Sequence, residues 1–130
     1  MRKTLMMRLL AAGLFCLSIN TVGAKELTGT LKKVKETGTL VLGVRDASIP
    51  FSFLDEQQQY IGYHIDLCMK IVQATAKLLG IPVKAKLQPV ASATRIPLMA
   101  NGTIDLECGN TTNNSERQQH VWFSPTTFIT

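Results

Sequence analysis

Arg45, Arg95 and Arg117 are the only arginines beyond residue 24; every other basic residue there is lysine. The division has a chemical meaning. A lysine ammonium is a hydrated point charge suited to open surface. A guanidinium is a rigid fork that grips a carboxylate or phosphate through two parallel hydrogen bonds. Small polar residues accompany the forks. Ser92 and Thr94 come just before Arg95, and Gly109-Asn110-Thr111-Thr112-Asn113-Asn114 comes before Arg117. Their hydroxyls and amides suit a hydrogen-bonded socket, and Gly109 lets the backbone come close to a ligand. The pattern fits a small anion. The alternative is that Arg95 and Arg117 point to solvent or pair with Asp46, Asp105 or Glu107, in a loop that is an ordinary strand-to-helix turn.

Catalytic chemistry has thinner support. Cys108 with His120 or His64 imitates a thiol–imidazole pair, but nothing in the sequence marks a lowered thiol pKa. Glu107 offers a general acid without a second carboxylate at a suitable spacing. There is no CxxC and no His/Cys cluster at zinc spacing, so no catalytic residue, metal or cofactor is expected. His64 and His120 read as surface or packing residues. Cys68 reads as a core residue. Cys68 and Cys108 can bridge to each other or each pair elsewhere, because disulfide geometry is strict and spacing does not reveal it.

For the three arginines to meet, the elements before them must end on one side of a sheet. Leu40 to Val44 is a continuous apolar run, a strand buried on both faces. Val83, Ala85 and Leu87 alternate with Lys84 and Lys86, giving an edge strand with one wet face. Ile104 to Cys108 is a third strand. The clearest helix carries Ile65, Cys68, Met69, Val72, Ala76 and Leu79 on one stripe and stops at Gly80, with Pro82 beyond. A shorter helical piece lies in Lys25 to Gly38, with Leu31 and Val34 on one side. Phe51 to Leu54 and Tyr60 to Tyr63 pair as a hairpin across Asp55 to Gln59.

Ile96 to Ala100 is a short helix, and Pro97 must lie in its first turn, so Arg95 stands at its start. Ser115 to His120 begins another, capped by Asn113 or Asn114 with Glu116 in a favourable acidic position. Val121 to Phe123 is a short last strand. The alternation predicts an α/β domain with a mostly parallel sheet flanked by helices, and such sheets bind ligands beyond the carboxyl ends of their strands. A cation at a helix N-terminus costs about 0.3–1 kcal/mol. Two such arginines make sense if an anion sits between guanidinium and free N–H groups.

Residues 1–24 read as a cleaved signal peptide. Arg2, Lys3 and Arg8 supply the positive start, Leu9 to Ile19 the apolar core, and Val22-Gly23-Ala24 the small residues at the cleavage site. The apolar run is short for a bilayer span. Three of the 14 basic residues and none of the 9 acidic ones lie there, so the remainder carries a net charge near +2. With no basic run and no interleaved aromatics, nucleic-acid binding loses its support. Residues 25–37 read as a helical lead-in and residues 38–130 as a single domain. The ending Phe128-Ile129-Thr130 falls within an apolar segment and suggests a fragment.

The stretches "GVRDASIPFSF", "GYHIDLCMKIV", "SATRIPLMANGTIDLECGNTTNNSERQ" and "VWFSPTTF" together resemble the amino-terminal lobe of the glutamate/aspartate-binding proteins of bacterial amino-acid ABC uptake systems. The resemblance covers nearly all of the chain beyond the leader, and Ser92 to Gln118 is its most specific part. It implies one lobe of a type II periplasmic-binding-protein fold, with the second lobe missing. It implies a periplasmic, monomeric receptor that closes on an acidic amino acid and delivers it to an inner-membrane permease. Arg45, Arg95 and Ser92 would hold the side-chain carboxylate, and Arg117 and Thr112 the α-carboxylate. Asn110 stands where this subgroup has serine, which keeps a backbone contact and replaces a hydroxyl. Phe51 would pack beside the ligand or in the core.

The same fold serves periplasmic dehydratases and the sensor domains of membrane receptors, which are the alternatives. Micromolar binding needs about −8 kcal/mol, so a lobe supplying about half of it would bind near millimolar.

Overall fold

The structure, a computed structural model, describes residues 26–128. The signal-peptide reading of residues 1–24 and the chain end at Ile129-Thr130 lie outside the described residues. No helix among the described residues is long and apolar enough to cross a membrane.

Helix α1 (Gly29–Thr37) ends at Gly38, whose φ of 64° lies in the left-handed region and whose N–H caps Val34 O. Strand β1 (Thr39–Val44) follows and is the centre of a parallel sheet in the order β5-β1-β6. Here β5 is Lys84–Pro89 and β6 is Leu106–Glu107. The register pairs Val44 with Pro89 and Gly43 with Glu107, so the three strands run out at the same level. β5 is the edge strand that its alternating lysines predict. β6 has only two residues in the ladder, but Asp105 N–H to Val41 O and Cys108 N–H to Gly43 O, both 2.8 Å, extend its contact with β1 over the expected Ile104–Cys108 span.

The expected hairpin is present as β3 (Ser52–Leu54) and β4 (Tyr60–Ile61), closed by Asp55 Oδ1, which accepts N–H groups of Gln57 and Gln59. A third strand, β2 (Ala47–Ser48), pairs with β3 and was not anticipated. Helix α2 (Tyr63–Leu79) stops at Gly80, as its sequence requires. Its buried residues are Ile65, Cys68, Val72, Thr75 and Leu79. Met69, expected on the stripe, is exposed. Thr75 takes the inner position because its hydroxyl is satisfied by Ile71 O, 2.8 Å away. Leu40, Leu42 and Val44 of β1 pack with Val34 of α1 and with the α2 stripe to form the core. Ile104 and Val90 close over the other face at Gly43, where a Cβ would collide with Ile104.

Two short helices complete the fold, α3 (Arg95–Ala100) against β6 and α4 (Ser115–Gln118). The expected strand at Val121–Phe123 is absent. Val121 N–H closes the end of α4 on Arg117 O at 3.0 Å, and Trp122 stands fully exposed. A three-residue apolar run becomes a strand only where a neighbouring strand accepts its hydrogen bonds.

Cys68 and Cys108 are joined in a disulfide across a Cα–Cα distance of 6.2 Å and a sequence separation of 40 residues. The bridge ties α2 to the residue that follows β6. By loop entropy alone such a crosslink contributes about 3–4 kcal/mol.

Candidate anion-binding site

Because β1, β5 and β6 are parallel and end level, the residues after them emerge on one side. Arg45 follows β1 and is locked to β3: its N–H donates to Ser52 Oγ (2.8 Å), which in turn donates to Arg45 O (3.2 Å). Its guanidinium reaches sideways. Nη1 donates to Val90 O, just past β5, at 2.8 Å, and Nε donates to Ser48 Oγ at 3.3 Å. Ser48 Oγ donates to Asn110 Oδ1 (3.5 Å), and Arg95 Nη1 donates to that same oxygen (3.1 Å). Arg45, Ser48, Asn110 and Arg95 therefore form one chain of hydrogen bonds across the strand ends. Arg117 closes the loop after β6, its Nη1 donating to Thr112 O at 2.8 Å.

Arg95 is 7% exposed. Burial pushes its pKa below the ordinary value, the Glu107 carboxylate opposes this, and the positive charges of Arg45 and Arg117 push it down further. Against these three cations stands one carboxylate: Glu107 Oε1, 3.7 Å from Arg95 Nη1, too far for a hydrogen bond. Of the other acids that might have neutralised the arginines, Asp105 pairs with Lys33 at 2.9 Å and Asp46 accepts from Tyr60 Oη at 2.8 Å. Among the described residues Arg45 and Arg117 make no ion pair.

Three buried polar atoms here have no hydrogen-bond partner: Arg95 Nε, Glu107 Oε1 and Thr111 Oγ1. An unsatisfied buried group costs about 1–3 kcal/mol, so a cluster of them is unusual outside a site that binds something. Arg95, Glu107 and Thr111 are among the residues that line a cavity of about 170 Å³, whose wall also includes Leu67, Ile71, Ile96 and Met99. A larger cleft of about 530 Å³ lies between Asn110–Asn113 and Phe123–Phe128, with Phe51 and His64 at its side.

The expected site residues fare unequally. Arg45, Arg95 and Asn110 are joined at the strand ends, while Arg117 and Thr112 bond to each other in the loop beyond β6. Ser92 is exposed in the turn before α3, and its hydroxyl makes no hydrogen bond to a described residue. Phe51 lies outside the core cluster; it lines the cleft, where its ring stacks on His64 and meets Phe128 edge-on, each at 4.9 Å. The expected free N–H groups at Arg95 and Arg117 are taken. Arg95 N–H donates to Ala91 O (3.1 Å), and Arg117 N–H donates to Asn114 Oδ1 (2.9 Å), which makes Asn114 the cap. Gly109 is needed for a different reason from the one expected, since a Cβ there would collide with Arg45 Cγ and the Glu107 carboxylate.

Ser48 and His64 are the residues that sequence reasoning missed. Ser48 lies on a two-residue strand too short to leave a pattern. His64, one helical turn before Cys68, carries no local signal beyond its type. The disulfide leaves no free thiol among the described residues, which removes the thiol–imidazole reading. No three His, Cys, Asp or Glu side chains among the described residues come together as a metal site.

Residues 40–130 match the family model described as bacterial extracellular solute-binding proteins, family 3. The chain belongs to this family. As a solute-binding protein of family 3, it is 60% identical to the L-glutamate/L-aspartate-binding protein of Pseudomonas aeruginosa over 105 residues, 79% of this chain and 35% of that protein. Among solved structures, a point mutant of the arginine-bound form of domain 1 from the T. maritima ArgBP matches with a TM-score of 0.65 at 30% identity, covering 75% of this chain and 71% of that one. An ancestral cyclohexadienyl dehydratase matches with a TM-score of 0.59 at 31% identity, covering 72% and 36%. The expected α/β architecture and the expected resemblance are both borne out. The chain spans about a third of the length of the curated relatives it matches.

Proposed function

We propose that this solute-binding-protein lobe grips an acidic amino acid, L-glutamate or L-aspartate, for an ABC uptake system. The carrying observation is the chain of hydrogen bonds that joins Arg45, Ser48, Asn110 and buried Arg95, with Arg117 on the loop that follows, while among the described residues Glu107 is the only carboxylate in an ion pair with any of the three arginines. The excess of positive charge suits a guest with two carboxylates, held in parallel by charge-assisted hydrogen bonds. Arg45 and Arg95, with Ser92 from the adjoining turn, take the side-chain carboxylate. Arg117 and Thr112 take the α-carboxylate, and Asn110 orients Arg95 between them. The working protein is a periplasmic monomer that carries its ligand unchanged to a membrane permease. The names of the Pseudomonas relative and of similar proteins from Salmonella typhimurium and Escherichia coli support the choice of ligand.

Isothermal titration tests the reading. L-glutamate or L-aspartate should bind and L-glutamine, which lacks the second charge, should bind at least about tenfold more weakly. Arg117→Ala should remove a contact worth about 1.5–3 kcal/mol. A loss below about threefold would mean that Arg117 is misassigned. The T. maritima domain is described as arginine-bound, so a lone domain of that relative holds its ligand, which supports measuring this chain by itself. Recovery of the ligand chemically unchanged separates a carrier from a dehydratase-like enzyme using Glu107 as its acid.

A further inference from the structure

We infer that His64 is a positioning residue for the anion socket: it holds the Gly109 carbonyl and thereby fixes the peptide that carries Asn110. The inference rests on the proposed function for its binding readout and on geometry alone for the rest. His64 Nδ1 bonds to Gly109 O. A carbonyl only accepts, so Nδ1 carries the proton. In the neutral ring Nε2 is then an acceptor, and Thr127 Oγ1 lies 2.9 Å away to donate to it. Both ring nitrogens are occupied, which leaves His64 to position rather than to touch a ligand.

Two further contacts set the ring. Phe51 stacks on it with centroids 4.9 Å apart and planes 26° apart, and Tyr63 lies beside it at 5.2 Å. Tyr63 Oη donates to Thr127 O at 3.2 Å, so Thr127 is held from both sides. One turn along the same helix face, Cys68 is bonded to Cys108. Helix α2 therefore grips two consecutive residues, Cys108 covalently and Gly109 by hydrogen bond.

Gly109 is the residue that most needs such a hold. It must be glycine, because a Cβ would sit 2.6 Å from Arg45 Cγ. Glycine is also the residue with the widest backbone freedom. Its carbonyl shares one rigid peptide plane with the Asn110 N–H. Fixing that oxygen fixes the approach of the Asn110 side chain, which accepts from Ser48 and Arg95. Through Thr127 the same ring ties the socket loop to the far wall of the cleft.

The test combines a spectroscopic signature with rescue. In the ligand-free parent chain, long-range proton–nitrogen NMR should find His64 as the Nδ1–H tautomer near neutral pH. His64→Ala should weaken L-glutamate binding about tenfold or more relative to the parent and shift the Asn110 amide resonance. His64→Asn, whose side-chain amide can donate to the same carbonyl, should stay within about threefold of the parent and restore that resonance. An Nε2–H tautomer, an alanine variant within threefold of the parent, or an asparagine variant no better than alanine overturns the inference. If the parent binds neither acidic amino acid, the proposed function fails, and the tautomer and the Asn110 resonance in the two variants still decide the role of His64. Should the alanine variant not fold, the tautomer and the asparagine variant carry the same decision.

Discussion

Asp105 and Glu107 flank Leu106 on one strand, are both mostly buried, and each faces one cation, yet they are treated in opposite ways. Asp105 lies toward the amino end of the sheet. Its Oδ1 accepts from Lys33 Nζ and its Oδ2 from Val41 N–H, each at 2.9 Å, and Lys33 also reaches Gly102 O. Glu107 lies at the carboxyl end. It stands 3.7 Å from Arg95, its Oε1 has no hydrogen bond, and Arg95 gives Nη1 to Asn110 while Nε goes unpartnered. Burial does not explain the contrast, since their side chains are 2% and 13% exposed. One pair holds β1 to its neighbour. The other leaves one donor and one acceptor unsatisfied, at a cost to stability, at the carboxyl ends of the strands, where the proposed socket lies. Strain of that kind belongs at functional sites, where binding offsets it.

The two carboxylates should differ most in what they contribute to stability. Asp105→Ala orphans the half-buried Val41 N–H and leaves Lys33 only the Gly102 carbonyl, so it should cost about 3 kcal/mol in urea unfolding. The double substitution Arg95→Met with Glu107→Leu removes the unsatisfied pair together. Replacing a poorly satisfied buried ion pair by apolar volume is commonly neutral or stabilising. The double variant should therefore unfold within about 1 kcal/mol of the parent, or later than it, and lose acidic amino-acid binding. If it proves as unstable as Asp105→Ala, the Glu107 pair is structural and the distinction drawn here is wrong.

How much of this was legible in the sequence depends on the range of the interaction. The places of the three arginines could be read, because residue type and strand ends are local and parallel strands end on one side. So could the stops at Gly38 and Gly80 and the wet edge strand. What could not be read depends on partners distant in sequence. Ser48 matters only because Asn110, 62 residues later, lies within 3.5 Å. The disulfide was one of several options until the fold placed Cys68 beside Cys108. Val121–Phe123 had an apolar pattern without a pairing strand, and periodicity cannot tell the two cases apart. The packing need for Gly109 could not be read, because one of the side chains its Cβ would meet, Arg45, lies 64 residues earlier.

A third carboxylate sharpens the contrast with the smallest expected effect. Asp46 follows Arg45 directly and could have quenched it, but it accepts from Tyr60 Oη instead. Burial, the hydrogen bond to Asp46 and the charge of Asp46 raise the Tyr60 pKa above its usual 10.0. In the unfolded chain tyrosine ionises near ~10. Below that pH both states keep the proton and the contribution of the hydrogen bond is fully present. As pH rises further the unfolded state loses its proton first, and this stability is lost on the way up through the raised folded value. Tyr60→Phe should cost under about 1 kcal/mol at neutral pH, because the contact is near the surface. It should also flatten the fall in urea midpoint between about pH 8 and about pH 10.5, with Tyr63 and the lysines common to both proteins. Equal falls in the two proteins would mean that Tyr60 does not hold Asp46. Asp46 would then be available to Arg45, and the socket would have one fewer unpaired cation to offer a guest.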